Sequence, residues 1–386
     1  MFETLDGVEW DALEDAYGKA SDIPDLLRSL ATSQDEESLE ETLEDLESRV
    51  CNQGCINEAS PYVVPFLIEL LSTPEVEAKE EILGLLTGLG TAKSYLDVHI
   101  RNEPGPVAEK WRAEPDFEEK VAREQAWVEA TRHAIEAGLP TFFALLEGNE
   151  DGLRYPAANL LGALKTSPER VSAGLREAFA RETSDGVRCG LLMSLGEVGR
   201  EEDVPFLREI LADASGSGSA KSKGSRPLRW GSAIALVRIL KADAPAEAVR
   251  VLDEASLGGS EPELDEDAWE GLPDGERESA RGAIFTLFMM GPDAAVPRIG
   301  RALGRLDVED LGDALELLLD LAFPGHDRTT EPTPPREPGS LTPAQKEALA
   351  AFVACDDLWD PGWRLDGTLR WLGLPDERGK IEAFIA

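Results

Sequence analysis

With 386 residues, 42% of them hydrophobic, the chain has enough apolar content for most of it to fold, while 76 acidic against 38 basic side chains leave a formal charge of −38. A field of that sign and size repels phosphate backbones and disfavours general nucleic-acid binding. No stretch reaches the roughly 18 apolar residues of a membrane span, the start MFETLDGVEWDALEDAYG is acidic where a secretory signal would be basic and then apolar, and four cysteines without scaffold spacing (Cys51, Cys55, Cys189, Cys355) fit free thiols, so a cytoplasmic location is expected.

Residues 1–50 carry sixteen Asp or Glu against Lys19, Arg28 and Arg49, and within them SDIPDLLRSL (21–30) is the first of five segments that align on a proline. The others are YVVPFLIELL (62–71), AGLPTFFALL (137–146), EDVPFLREIL (202–211) and AAVPRIGRAL (294–303). An aliphatic residue precedes each proline (Ile23, Val64, Leu139, Val204, Val296). Two residues after it come Leu26, Leu67, Phe142, Leu207 and Ile299, and six after it always leucine: Leu30, Leu71, Leu146, Leu211 and Leu303. At about 100° per residue these three positions share one side of a helix. Proline needs no N–H in a first turn and its φ is already helical, so each proline predicts a helix start.

Between the first two segments lies CNQGC (51–55), followed by EASP, where Ser60 can cap and Pro61 can open a helix. A structural loop between helices is the simplest reading of the two thiols; a redox pair or a pair of metal ligands are the alternatives. The three histidines, His99, His133 and His326, stand at no recognisable spacing from them, so no metal or other cofactor is expected. The amide of Gln53 is suited to bonding the open ends of neighbouring helices, and ligand binding is its other possible role.

A second helix type, rich in small residues, follows in LLTGLG (85–90), LLGALK (160–165) and LLMSLG (191–196). A helix of this kind ending in glycine, a turn, and a proline-started helix make a hairpin that cannot bury both apolar faces alone, so neighbours must stack. Insertions are expected near 91–118, 213–227 (DASGSGSAKSKGSRP, with Lys221, Lys223 and Arg226) and 256–277. PGHDRTTEPTPPREPGS (324–340) reads as a linker to a last helical segment, 341–386; these four stretches are the expected mobile regions. In that last segment Trp359, Trp363 and Trp371, with Leu358 and Leu365, suit the sealing of an exposed apolar end, or a grip on a ligand.

The hairpin SDGVRCGLLMSLGEVGREEDVPFLREILAD (184–213) resembles a HEAT repeat of the bacterial, bilin-lyase type. Residues 9–71 look like the opening, and 341–385 like the closing helical cap, of bacterial HEAT-repeat proteins without an assigned biochemical role. Where that group tends to carry His-Gln-Gly, this chain has Asn52-Gln53-Gly54. The resemblance implies an all-α fold, an α-solenoid of HEAT-like helical hairpins over 1–323 with a C-terminal helical cap.

No nucleophile elbow, P-loop or dinucleotide fingerprint is present, and no catalytic residue is nominated. The expected function is a scaffold or adaptor that binds a protein partner on a concave face, an immunity or regulatory protein being one form of it. The position four after each proline should point outward, which nominates Arg28, Glu69, Glu209 and Arg301, with Ala144 between them, and Gln53 as binding residues. A HEAT-like enzyme of the lyase or DNA glycosylase type, and an acidic mimic of nucleic acid, are the alternatives.

Overall fold

The computed structural model of the chain describes residues 2–33, 35–101, 105–148, 151–214, 225–258, 266–324, 334–360, 363 and 365–386. The described residues are all-α apart from four two-residue strands. The chain divides into two compact units, Met1–Ala178 and Phe179–Ala386.

The first unit contains α1 (Ile23–Thr32), α2 (Glu36–Val50), α3 (Ser60–Leu71), α4 (Lys79–Thr91), α5 (Tyr95–His99), α6 (Pro106–Arg112), α7 (Phe117–Ala137), α8 (Leu139–Glu147), α9 (Asp151–Ala163) and most of α10 (Pro168–Arg181). Helices pack both on the next in sequence and on more distant ones: α1 on α2 and α3, α3 on α4 and α7, α4 on α9, α8 on α9. Two small ribbons tie its loops. Glu14–Asp15 (β1) pairs antiparallel with Gly18–Lys19 (β2), and Cys55–Ile56 (β3) pairs parallel with Lys93–Ser94 (β4).

The second unit contains α11 (Asp185–Val198), α12 (Val204–Ala214), α13 (Arg226–Leu240), α14 (Ala246–Ser256), α15 (Ala280–Phe288), α16 (Pro292–Ala302), α17 (Val308–Ala322), α18 (Pro343–Ala354), α19 (Leu365–Trp371) and α20 (Arg378–Ile385). The hairpin at 184–213 has the expected form. The hydroxyl of Ser184 accepts from the Val187 amide to start α11, Gly199 ends it in the left-handed region (φ 77°), and α12 follows at Val204. Its small residues let helices approach closely: a Cβ on Gly196 would lie 2.6 Å from the Ala235 Cα of α13.

The proline-aligned register holds in the cores. Leu30, Leu71, Leu146, Leu211 and Leu303 are all buried, as are Leu67, Phe142, Leu207 and Ile299, each large apolar side chain contributing about 1.5–3 kcal/mol on burial. Leu26 and Val204 are half-buried; in α1, Leu27 takes the inward place.

The proline rule itself needs correction. Pro24, Pro140 and Pro205 stand in the first turn of α1, α8 and α12, but Pro65 and Pro297 lie inside α3 and α16. An earlier proline, Pro61 or Pro292, already opens each of those helices. Ser60 is no cap either: it is the first helical residue, and its buried hydroxyl donates to the Val50 carbonyl (2.6 Å) while accepting from the Asn57 amide (3.0 Å).

Two of the expected insertions are built into the structure. In 91–118, α5, α6 and the start of α7 enclose a small core of Leu96, Ile100, Ala108, Phe117 and Val121. In 256–277, Trp269 and Leu272 are buried, and the Glu270 carbonyl accepts from the Ser184 hydroxyl at 2.6 Å. An acidic Gly/Pro context hid one aromatic anchor. Much of 213–227 and 324–340, with Lys221, Lys223 and His326, lies outside the described residues.

Candidate functional site

The CNQGC loop begins where α2 stops. The Cys51 amide closes the last turn on the Glu47 carbonyl (2.7 Å), and Gln53 (φ 51°) and Gly54 (φ 71°) reverse the chain through the left-handed region. Gln53 is exposed, and its main-chain carbonyl faces the Cys55 thiol at 3.7 Å. Both cysteines are buried and free. Burial, then the charges of Glu47 and Cys55, push the Cys51 thiol up to about 11, and burial with Glu124 raises Cys55. Protonated thiols are poor nucleophiles and poor ligands at neutral pH. Among the described residues no group of three or more His, Cys, Asp or Glu side chains is arranged to hold a metal ion; His99 stacks on Tyr95, ring centroids 5.0 Å apart.

The N-terminal ribbon is moored to this loop. The Ala16 amide donates to the Arg49 carbonyl (3.0 Å) and the Ala59 amide to the Glu14 carbonyl (3.1 Å). Arg49 pairs with Asp15 (3.0 Å), whose side chain is fully buried, and with Asp45 (2.9 Å) and Asp22 (3.3 Å). Burial pulls the Arg49 guanidinium down, but hydrogen bonds to Asp15 and Asp45, with their charges, more than offset that, and it ends above its ordinary value.

The outward row divides between the units. In the first, two of its members hold the N-terminal segment: Arg28 pairs with Asp6 and with Asp25 (3.0 Å), and a Glu69 carboxylate oxygen accepts from the Phe2 amide at 2.7 Å. Phe2 also stacks edge-on against Phe66 (5.8 Å). Ala144 is exposed on α8. In the second unit Glu209 is exposed on α12, and Arg301 reaches Asp253 (3.8 Å), which also meets Arg298 (3.3 Å). Sequence spacing gave the direction of these side chains but not what the chain's own segments lay against them.

Among the described residues, a groove of about 720 Å³ lies between α2 and α4. Its floor is apolar, formed by Leu39 and Leu43 of α2 with Ala78 and Leu85, all buried. Its rims are acidic. Glu40, Glu44 and Glu47 stand along one side and Glu77 and Glu81 along the other, all exposed, and none forms an ion pair among the described residues. Next to them burial, with repulsion from Glu81, raises Glu80. Exposed Gly84 leaves the trough open, since nothing lies within 4 Å of where its Cβ would be. The signal was present in EESLEETLEDLE (36–47), where leucines four apart are flanked by glutamates, but in so acidic a chain it read only as surplus charge.

In the second unit a smaller groove of about 370 Å³ runs past Trp230, Phe285 and Met289, with Arg238 and Arg281 at its edge. Both cations are occupied, Arg238 by Glu197 (3.2 Å) and Arg281 by Asp313 (2.8 Å). The C-terminal aromatics pack inward on their own unit: Trp359 lies edge-on to Phe352 (4.8 Å) and donates to its carbonyl (3.3 Å), and Trp363 lies about 3.6 Å from where a Cβ on Gly312 of α17 would sit.

No protein-family model matches the chain, and no curated protein matches it. Among solved structures, the crystal structure of an engineered protein aligns over 94% of this chain and 98% of that one at 17% identity, with a TM-score of 0.28. So low a score identifies no common architecture, and no function follows from it. No helix among the described residues is long and apolar enough to cross a membrane.

Proposed function

We propose that the chain is an interaction scaffold: HEAT-like hairpins stack into a solenoid, the last helices seal its end, and surface side chains bind a protein partner. The observation that supports this most is the shared register. In five segments the leucine six after proline is buried, while the residue four after it lies outside the core, exposed at Arg28, Ala144, Glu209 and Arg301 and half-buried at Glu69. Core positions are thereby consumed by helix packing, which leaves partner recognition to the side chains outside the core. Binding rather than catalysis is the role this favours, because burial raises the thiols of Cys51, Cys55 and Cys355, away from the thiolate that nucleophilic chemistry needs. The charge of −38 favours a protein partner over nucleic acid.

Affinity capture with the wild-type chain, Glu209→Arg and Leu211→Asp tests the proposal, with helicity followed by circular dichroism. A saturable protein partner should be recovered by the wild type. Leu211→Asp should lose helicity and partner together, since it buries an unpaired charge at a cost of about 4 kcal/mol. Glu209→Arg should stay folded and alter recovery. Failure to capture any saturable protein, or a folded Leu211→Asp chain with full recovery, would overturn it.

A further inference from the structure

We propose that the groove between α2 and α4 is a docking site for a basic amphipathic helix of a protein partner, one that presents a stripe of Leu, Ile or Phe flanked by Lys or Arg. The inference rests on the scaffold reading only for its premise that the partner is a protein. Everything else comes from the groove.

Its two kinds of surface demand two kinds of complement. The floor of Leu39, Leu43 and Leu85 gains by covering apolar area, while the rims, Glu40, Glu44 and Glu47 opposite Glu77 and Glu81, gain only from positive charge. On α2 the three glutamates recur at intervals of four and three, so they form one continuous edge along the helix, spanning about 10 Å at 1.5 Å per residue. An edge that repeats at helical spacing matches cations repeating at helical spacing. A helix laid in the trough can put apolar residues at i, i+3, i+4 and i+7 on the floor and lysines on either side, the helix-in-groove mode of recognition.

The rims are also electrostatically incomplete. Five carboxylates face one trough without a cationic partner among the described residues. Within a shallow, partly apolar cleft this field is focused rather than dissipated. An acidic peptide, an anionic lipid surface or a nucleic acid would be repelled. The groove in the second unit lacks this demand, because Arg238 and Arg281 are already paired with Glu197 and Asp313, and Arg277 donates to the Leu272 carbonyl.

The test uses the full chain and a fluorescently labelled 18-residue peptide of Leu and Lys arranged with the helical period. Its controls are a scrambled peptide of the same composition, a peptide with Glu for Lys, and spermidine as a small polycation. The designed peptide should bind in the micromolar range, at least tenfold more tightly than the scrambled one, and the Glu peptide should not bind. Two variants separate charge from shape. Glu44→Lys with Glu81→Lys removes the rim, and Gly84→Leu fills the open trough without changing charge and suits an exposed helical position; each should weaken binding at least tenfold with helicity unchanged. Equal binding of scrambled and designed peptides, competition by spermidine at matching charge concentration, or indifference to Gly84→Leu would overturn the proposal in favour of diffuse attraction. If the peptide fails while affinity capture still recovers a saturable partner that ignores the groove variants, the groove is refuted and the scaffold stands. If capture fails but the peptide binds as described, the reverse holds.

Discussion

At the scale of single residues the most heavily committed side chain is Arg49. It joins α2, the N-terminal ribbon and the turn before α1 through Asp45, Asp15 and Asp22. The Asp15 carboxylate has no exposure, and its other described contact is the Tyr17 amide at 2.8 Å. Removing the guanidinium therefore leaves a buried charge almost alone, which is the costly way to break an ion pair. Arg49→Met should destabilise by about 3 kcal/mol in urea titration. Adding Asp15→Asn should recover much of that, because the amide oxygen still accepts from Tyr17 and no charge is stranded. Equal destabilisation by the single and double variants would show that Arg49 acts through packing alone. Arg49 and Asp15 are thirty-four positions apart, so no local spacing could have revealed the pair.

At the scale of helices, glycine separates close packing from open surface. A Cβ on Gly196 would meet the backbone of α13 at Ala235, whereas one on Gly84 would meet nothing. Gly84→Ala should stabilise by about 0.5–1 kcal/mol through helix propensity. Gly196→Ala should destabilise by about 1–3 kcal/mol, because packed helices must separate to admit a methyl group. Thermal melts of the two variants decide it, and equal shifts would mean that α11 and α13 are not in close contact. The helices themselves were legible because amphipathic period and buried leucines repeat each other's message. Helix starts were less so: a proline fits an interior position when an earlier one has already opened the helix, as Pro61 does before Pro65 and Pro292 before Pro297. In the stretches read as interruptions, a few apolar residues, Ile100 and Phe117 or Trp269 and Leu272, anchor an otherwise polar segment. Of the groove only the α2 edge was legible, as the leucines and glutamates of 36–47, since its two rims come from segments that the fold, not the spacing, sets side by side.

At the scale of the whole molecule the dominant quantity is charge, and it was plain from composition. A net −38 makes the folded state self-repelling, and three carboxyls add a cost of burial to it. Burial raises Glu80, with help from Glu81; it raises Asp310, with help from Asp307; and it raises Asp253 despite the opposing charges of Arg298 and Arg301. For each, the folded value lies above the unfolded one, near 4.5 for Glu80 and 3.8 for the two aspartates. Between those limits the native chain holds more protons than the unfolded chain, so stability rises as pH falls through that window and is lower throughout the range above it. The melting temperature at low ionic strength should therefore be higher as the pH falls into that window than at pH 8. Salt should close the gap, since the screening length shrinks from about 10 Å at 0.1 M to about 3 Å at 1 M. The largest gain from salt is expected at pH 8, where the repulsion is greatest. A melting temperature that peaks at pH 8, or that is indifferent to salt there, would mean that the ion pairs around Arg49 and its counterparts outweigh the surplus of acid.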